Sequence, residues 1–119
     1  MASTTQDHPI SFGIIGCGVV APTHAMALQN SPNAELVAIA DRSESRVQNF
    51  AREFGVANAY ASHEELLAND DIDAVCVCTP HHLHAPIAID AAKAGKHVLI
   101  EKPMATNLED ADELIRLCD

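Results

Sequence analysis

The chain has 119 residues, of which 48% are hydrophobic and 20% charged, a composition typical of a single globular domain. Its 17 acidic residues against 7 Lys and Arg give a formal net charge of -10, which disfavours binding to the phosphate backbone of nucleic acids. The sequence shows no apolar stretch long enough for a membrane span and no hydrophobic signal region, so it predicts a cytoplasmic protein without a membrane partner.

The first predicted unit is a strand, a tight turn and a helix. Residues 1–9 are polar and predict a flexible N-terminal segment. Residues 10–15 form a short apolar run that ends at glycines, which predicts a strand followed by a turn. Residues 19–30 then predict a helix with Pro22 in its first turn, where a proline is well tolerated.

The second unit repeats this order. Residues 35–41 predict another strand, and Ser43 is a suitable N-cap for the amphipathic helix that follows. Gly55 predicts the end of that helix. The third unit is a short predicted strand at 57–60 and a helix that begins with a Ser62 and Glu65 capping box. A strand at 72–78 follows, on which Cys76 and Cys78 share one face, and then a helix at 83–94 closed by Gly95. The last predicted elements are a strand at 97–101 and a helix capped by Asn107.

Alternation of short strands and helices predicts the fold class. Connections of a few residues between such elements favour right-handed crossovers and a parallel sheet covered by helices on both faces. We therefore predict an α/β, Rossmann-type doubly wound domain over residues 10–119, with strand order 3-2-1-4-5. In such a sheet the ligand site lies at the carboxyl ends of strands 1 and 4, where the winding direction reverses.

A glycine motif stands at that position. Gly16, Gly18 and Ala21 form the pattern G-x-G-x-x-A between a predicted strand and a predicted helix, the context in which the pattern indicates a dinucleotide site. Gly16 permits the tight turn, and Gly18 lets the backbone approach a pyrophosphate at the helix N-terminus, beside Val19 and Val20. The alternative is a turn that serves packing alone.

Asp41 and Arg42 bear on the choice of cofactor. Asp41 ends the second predicted strand, where a carboxylate can accept hydrogen bonds from the adenosine ribose hydroxyls. A 2′-phosphate at about 4 Å from this carboxylate would cost on the order of 4 kcal/mol at an effective dielectric constant near 20, which favours NAD. NADP remains an alternative, because the Arg42 guanidinium either stacks on adenine or pairs with a 2′-phosphate.

Three segments together carry a family resemblance. GIIGCGVVAPTHA, AIAD and VCVCTPHHLHAPIAIDAAKAGKHVLIEKP resemble the glucose-fructose oxidoreductase and inositol dehydrogenase (Gfo/Idh/MocA) family over nearly the whole chain. The resemblance implies that Glu101, Lys102 and Pro103 are a signature in which Lys102 helps bind the cofactor and the substrate hydroxyl. It implies further that the nicotinamide side is lined by Thr79, Pro80 and His84.

Residue chemistry agrees with the role that the resemblance gives to Lys102. The lysine lies just past the carboxyl end of a predicted strand, where an ammonium group can stabilise negative charge that develops on a substrate oxygen. Pro103 after it is expected to be either cis or trans. We predict no metal site, since His81 and His82 are neighbours that do not easily converge on one ion with His84.

The function that follows is hydride transfer between a nicotinamide and a hydroxyl-bearing carbon of a sugar, cyclitol or related polyol. The substrate class comes from the resemblance alone, which also implies a second, substrate-binding domain absent from these residues and a homo-oligomeric parent enzyme. The 119 residues alone are therefore expected to bind dinucleotide without catalysis. The alternatives are a non-catalytic dinucleotide-binding or sensing module and a short protein that uses the fold for protein interaction.

Overall fold

A computed structural model describes residues 9–79 and 81–100, except the side chains of residues 81–84 and 100. The predictions for residues 1–8, Pro80 and residues 101–119, including Glu101, Lys102, Pro103 and the helix capped by Asn107, lie outside the described residues. The described elements are β1 (Ile10–Ile15), α1 (Ala21–Gln29), β2 (Ala34–Ala40), α2 (Glu44–Phe54), β3 (Asn58–Tyr60), α3 (His63–Leu67), β4 (Ala74–Val77), α4 (His81–Lys93) and β5 (His97–Ile100).

The five strands form one parallel sheet in the order β3-β2-β1-β4-β5, which confirms the predicted topology. β1 lies at the centre, where Ile14 is in register with Ile39 of β2 and Cys76 of β4. The reversal of winding direction therefore falls between β1 and β4. Backbone hydrogen bonds continue one residue past the strand ends. Gly16 N donates to Ala40 O at the end of β2, and Cys78 N donates to Ile15 O at the end of β1, both at 2.7 Å.

Helices cover both faces of the sheet. Successive residues at the centre of the sheet are apolar and point to opposite faces, so each face has an apolar surface to bury. Ile14 belongs to one buried cluster and its neighbour Ile15 to the other. The first cluster packs against α1 and α2, and the second packs against α3 and α4. The predicted shared face of Cys76 and Cys78 is confirmed, since both are buried in the first cluster.

Local capping signals fix several helix ends as the sequence predicts. The Ser43 side chain accepts from Arg46 N at the start of α2, and the Ser62 side chain accepts from Glu65 N at the start of α3. Glu65 reaches back one residue further than in a standard capping box, because its Oε1 accepts from Ala61 N at 3.2 Å. Gly55 closes α2 in the left-handed conformation with φ 67°.

Two helix starts differ from the sequence-based bounds. α1 begins at Ala21 rather than at residue 19, because Val19 and Val20 belong to the turn before it. α4 begins at His81 rather than at residue 83, so that Pro86 lies inside the helix instead of in its first turn. Pro86 is exposed, and because proline has no amide hydrogen the helix lacks one backbone hydrogen bond at this turn.

Long-range polar contacts brace the α3 and α4 side of the sheet. The Lys96 ammonium group donates to Asn69 O at 2.9 Å and to Ile72 O at 2.8 Å, which ties the loop before β4 to the start of β5. His63 Nε2 lies 2.9 Å from Asp90 Oδ2 and links α3 to α4. Within the described part of the chain, no helix has the length and apolar character needed to cross a membrane.

Candidate functional site

The glycine turn, residues 16–20, lies between the carboxyl ends of β1 and β4. Gly16 has φ +98°, a conformation that L-residues with a side chain rarely adopt. A Cβ built on Gly16 would lie 2.8 Å from both Cys78 C and Thr79 N. The turn at Gly16 therefore needs glycine for two reasons, the backbone conformation and the closeness of the chain after β4.

Gly18 is also held against β4. A Cβ on Gly18 would lie 2.8 Å from Cys78 O, although Gly18 does not have a positive φ. The sequence explained this glycine only by the close approach of a pyrophosphate. The structure adds a second reason, because the backbone at Gly18 already approaches the end of the neighbouring strand.

Asp41 joins the glycine turn to the loop after β2. Its Oδ2 accepts from Cys17 N at 2.8 Å, and its Oδ1 accepts from Ser43 N at 2.8 Å. The side chain is partly buried between these two loops. A carboxylate offers about four acceptor positions, and the two amides and the Cys17 thiol use three of them, so acceptor capacity remains for a ligand hydroxyl group.

The N-terminus of α1 follows the turn directly. Val20 occupies the N-cap position and provides no side-chain cap, and the first turn contains no acidic residue. Val19 is 97% exposed and Val20 is 38% exposed, so both valines border the crevice on its solvent side. Ala21 N already donates to Gly18 O at 3.2 Å and Pro22 has no amide hydrogen, so a bound anion here would be held mainly by amides of the glycine turn. The exposed valines provide apolar surface beside it.

Thr79 contributes an unusual polar atom on the β4 side of the same crevice. Its Oγ1 is buried and makes no hydrogen bond to any part of the chain that the structure describes. Because an unpaired buried hydroxyl costs free energy, such an atom indicates a partner supplied from outside the described residues, for example a ligand.

The Cys17 thiol is a member of the site that the sequence did not single out. Burial is the largest cause that raises its pKa from 9.0 to about 12, and the negative charge of Asp41 is the second. A hydrogen bond to the Asp41 side chain raises the pKa further, whereas the charge of Arg46 lowers it. Proximity to Asp41 could not be inferred from the sequence, since 24 positions separate the two residues.

We expect Cys17 to react slowly with alkylating reagents, because the thiolate is the reactive form and a raised pKa diminishes its fraction. At pH 8, a pKa near 12 instead of 9.0 reduces that fraction by about a thousandfold. Asp41→Asn removes a negative charge and should accelerate alkylation, which mass spectrometry of the iodoacetamide-treated chain measures at Cys17. Asp73→Asn is the matched control. Equal alkylation rates in the two variants would contradict the contribution of the Asp41 charge to the raised pKa of Cys17.

Most of the predicted site residues within the described part of the chain meet at one edge of the sheet. Arg42 lies exposed immediately after Asp41, at the side of the crevice nearer β2. His84 is in the first turn of α4, but its side chain and those of His81 and His82 are outside the described residues. The residues that the fold brings to the carboxyl edge are Gly16, Gly18, Val19, Val20, Asp41, Arg42 and Thr79.

Comparison with known proteins identifies a family in which this arrangement occurs together with NAD binding. The GFO_IDH_MocA family model, described as an oxidoreductase family with an NAD-binding Rossmann fold, matches residues 10–119. The chain belongs to the Gfo/Idh/MocA family. This Gfo/Idh/MocA chain is 40% identical over 104 residues to myo-inositol 2-dehydrogenase of Thermotoga maritima, covering 87% of the chain and 31% of the relative.

Solved structures give the same result for this Gfo/Idh/MocA chain. The WlbA dehydrogenase from Bordetella pertussis, in complex with NADH and UDP-GlcNAcA, is 38% identical with a TM-score of 0.88, covering 94% of this chain and 35% of its own. A 3-ketoreductase from Actinomadura kijaniata, in complex with NADP and TDP-benzene, is 39% identical with a TM-score of 0.87, covering 93% and 34%. The predicted family and Rossmann-type fold are confirmed.

The match is confined to one part of the relatives. The chain spans about a third of the length of the curated relatives it matches, 32% of an oxidoreductase from Rhizobium meliloti and 31% of the Thermotoga maritima enzyme. The comparison therefore concerns the NAD-binding domain of the family.

Proposed function

We propose that the chain binds a nicotinamide dinucleotide at the carboxyl edge of β1 and β4 and forms the cofactor half of an oxidoreductase. The observation that carries this proposal is the glycine turn, which stands at the switch point of the sheet and leads into a helix without a side-chain cap. The family is NAD-binding, which supports the same conclusion.

The residues present fit such a cofactor. The amide groups around the start of α1 would hold the pyrophosphate, and the remaining acceptor capacity of the Asp41 carboxylate would hold the adenosine ribose. Thr79 has a buried hydroxyl group that lacks a hydrogen-bond partner among the described residues, and it would line the nicotinamide side together with Pro80 and His84. The bound nicotinamide supplies the hydride chemistry.

We propose NAD rather than NADP as the preferred cofactor. Asp41 is held by backbone amides of two loops, so its negative charge cannot easily turn away from a 2′-phosphate. Arg42 stands beside it, exposed, and is the residue through which NADP would be accommodated. The solved relatives include one with NADH and one with NADP, in agreement with a choice made by local residues.

For the whole enzyme we propose hydride transfer to or from a hydroxyl-bearing carbon of a sugar, cyclitol or related polyol. The names of the relatives support this class, since they include an inositol dehydrogenase and a reductase of a dTDP-linked sugar. Lys102 would stabilise the charge on the substrate oxygen, and Glu101 would lie beside it. We propose that the 119 residues alone bind cofactor but are inactive, and that the whole enzyme is a cytoplasmic homo-oligomer.

Calorimetric titration of the chain with NADH and NADPH tests the cofactor site. We expect saturable binding of NADH that is tighter than that of NADPH, because the Asp41 charge opposes the 2′-phosphate. Asp41→Ala should weaken NADH binding by about tenfold or more and reduce the preference for NADH over NADPH. Asp73→Ala is the control, since Asp73 also accepts from a backbone amide, Ser11 N at 3.0 Å, but at the amino end of the sheet. Absence of binding by either cofactor at millimolar concentration would contradict the proposal.

A further inference from the structure

The Asp41 carboxylate connects two loops that carry no other described side-chain link to each other. One oxygen accepts from Cys17 N in the glycine turn, and the other accepts from Ser43 N at the start of α2, both at 2.8 Å. Both distances are short for N–H···O bonds, as expected when the acceptor carries a charge. We call this pair of hydrogen bonds the Asp41 clip.

The glycine turn needs such a restraint. Cys17 stands between two glycines, and glycine has the largest backbone freedom of any residue, so a G-x-G segment has little stiffness of its own. Gly16 N donates to Ala40 O at the end of β2. The next amide, Cys17 N, lies beyond the backbone hydrogen bonds that join β1 to β2, and it donates to the Asp41 side chain instead. The carboxylate of Asp41 is what holds the Cys17 amide in place.

Partial burial strengthens the two hydrogen bonds of the Asp41 clip. Asp41 and Cys17 are both partly shielded from water, and Asp41 raises the pKa of the Cys17 thiol through its charge and a hydrogen bond, after burial, which is the largest cause. Hydrogen bonds to a charged group in such surroundings are stronger than those between neutral groups in water. The two hydrogen bonds therefore restrain the turn without any contribution from a ligand.

We propose that Asp41 is a positioning residue for the glycine turn, in addition to its contact with the adenosine ribose. The inference rests on the proposed function, since the turn is positioned for the pyrophosphate of the dinucleotide. Preorganisation of this kind contributes to affinity by lowering the entropy lost on binding. Asp41 should consequently support binding of a dinucleotide even when the adenosine ribose offers no hydroxyl groups.

A cycle between protein and ligand separates the two roles. The ligands are NADH and an NADH analogue whose adenosine ribose lacks both hydroxyl groups, each titrated against the wild-type chain and Asp41→Ala. We expect Asp41→Ala to weaken binding of the analogue by about tenfold, in addition to a greater loss for NADH. Equal affinity of the wild-type chain and Asp41→Ala for the analogue would overturn the proposal and restrict Asp41 to the ribose.

Amide hydrogen exchange without ligand gives a second readout. The Cys17 and Ser43 amides should be protected in the wild-type chain and should exchange at least about tenfold faster in Asp41→Ala. Asp41→Asn keeps one amide carbonyl oxygen as acceptor and should lose less protection, whereas Asp73→Ala should leave both amides unchanged. Unchanged exchange in Asp41→Ala would overturn the clip.

The two readouts also distinguish failure of the clip from failure of the proposed function. A wild-type chain that binds neither ligand but protects the Cys17 and Ser43 amides through Asp41 would refute the cofactor site while retaining the clip as a structural contact. A chain that binds both ligands but shows no effect of Asp41→Ala on the analogue would refute the positioning role alone. Far-ultraviolet circular dichroism of each variant excludes loss of the fold as the cause.

Discussion

Gly16→Ala is expected to destabilise the chain by about 2 to 5 kcal/mol and to abolish cofactor binding. Two costs add at this position. A side chain at φ +98° is strained, and its Cβ would lie 2.8 Å from two backbone atoms in the segment directly after β4, Cys78 C and Thr79 N. Urea unfolding followed by circular dichroism measures the first effect, and calorimetry with NADH measures the second.

Gly55→Ala and Gly95→Ala are matched controls for this prediction. Both glycines have positive φ, 67° and 83°, but a Cβ on either would meet nothing within 4 Å. Only the conformational cost applies to them, which is about 1 to 2 kcal/mol. A loss at Gly16 no greater than that of the controls would show that the chain after β4 can move away, contrary to the close approach in the structure.

Gly18→Ala is expected to affect binding more than stability. Gly18 does not have a positive φ, so its substitution meets only the steric conflict between the new Cβ and Cys78 O at 2.8 Å. Moving the turn away from β4 relieves that conflict at about 1 to 3 kcal/mol in unfolding free energy. The same movement displaces the amide groups from the pyrophosphate position, and we expect NADH affinity to fall by more than about tenfold.

The comparison of Gly18→Ala with Gly13→Ala tests whether that effect is specific to the turn. A Cβ on Gly13 would also meet a close neighbour, Leu66 Cδ2 at 2.9 Å, but under α3 within the core and away from the cofactor edge. Gly13→Ala should therefore lower stability while cofactor affinity is largely retained in the folded protein. Equal losses of affinity in both variants would mean that the turn responds to packing anywhere along β1.

Much of the fold could be predicted because its signals are local. Short apolar runs in the strands, Ser43 and Ser62 as caps, and Gly55 as a helix end each act within a few residues. Element bounds were less well predicted, as the start of α1 shows. Val19 and Val20 are compatible with a helix by composition, but the turn that precedes α1 needs them to reach from β1 to the helix start.

The candidate site was predicted in its residue types but not in its contacts. Gly16, Gly18 and Asp41 were recognised from spacing, and Thr79 from the family resemblance. Cys17 was missed as a partner of Asp41, because a thiol between two glycines carries no signal of its own. Its raised pKa arises from burial and from a charge on a different strand end.

The sequence by itself determined the order of strands and helices, the parallel sheet and the position of the glycine motif after β1. Those properties follow from periodicity, capping and connection length, which are encoded within short segments. Only the tertiary structure decided that Gly16 and Gly18 lie against the end of β4 and that Asp41 binds the amides of Cys17 and Ser43. The reason is that these contacts exist only after β1, β2 and β4 have paired, when the ends of three separate segments reach the same edge of the sheet.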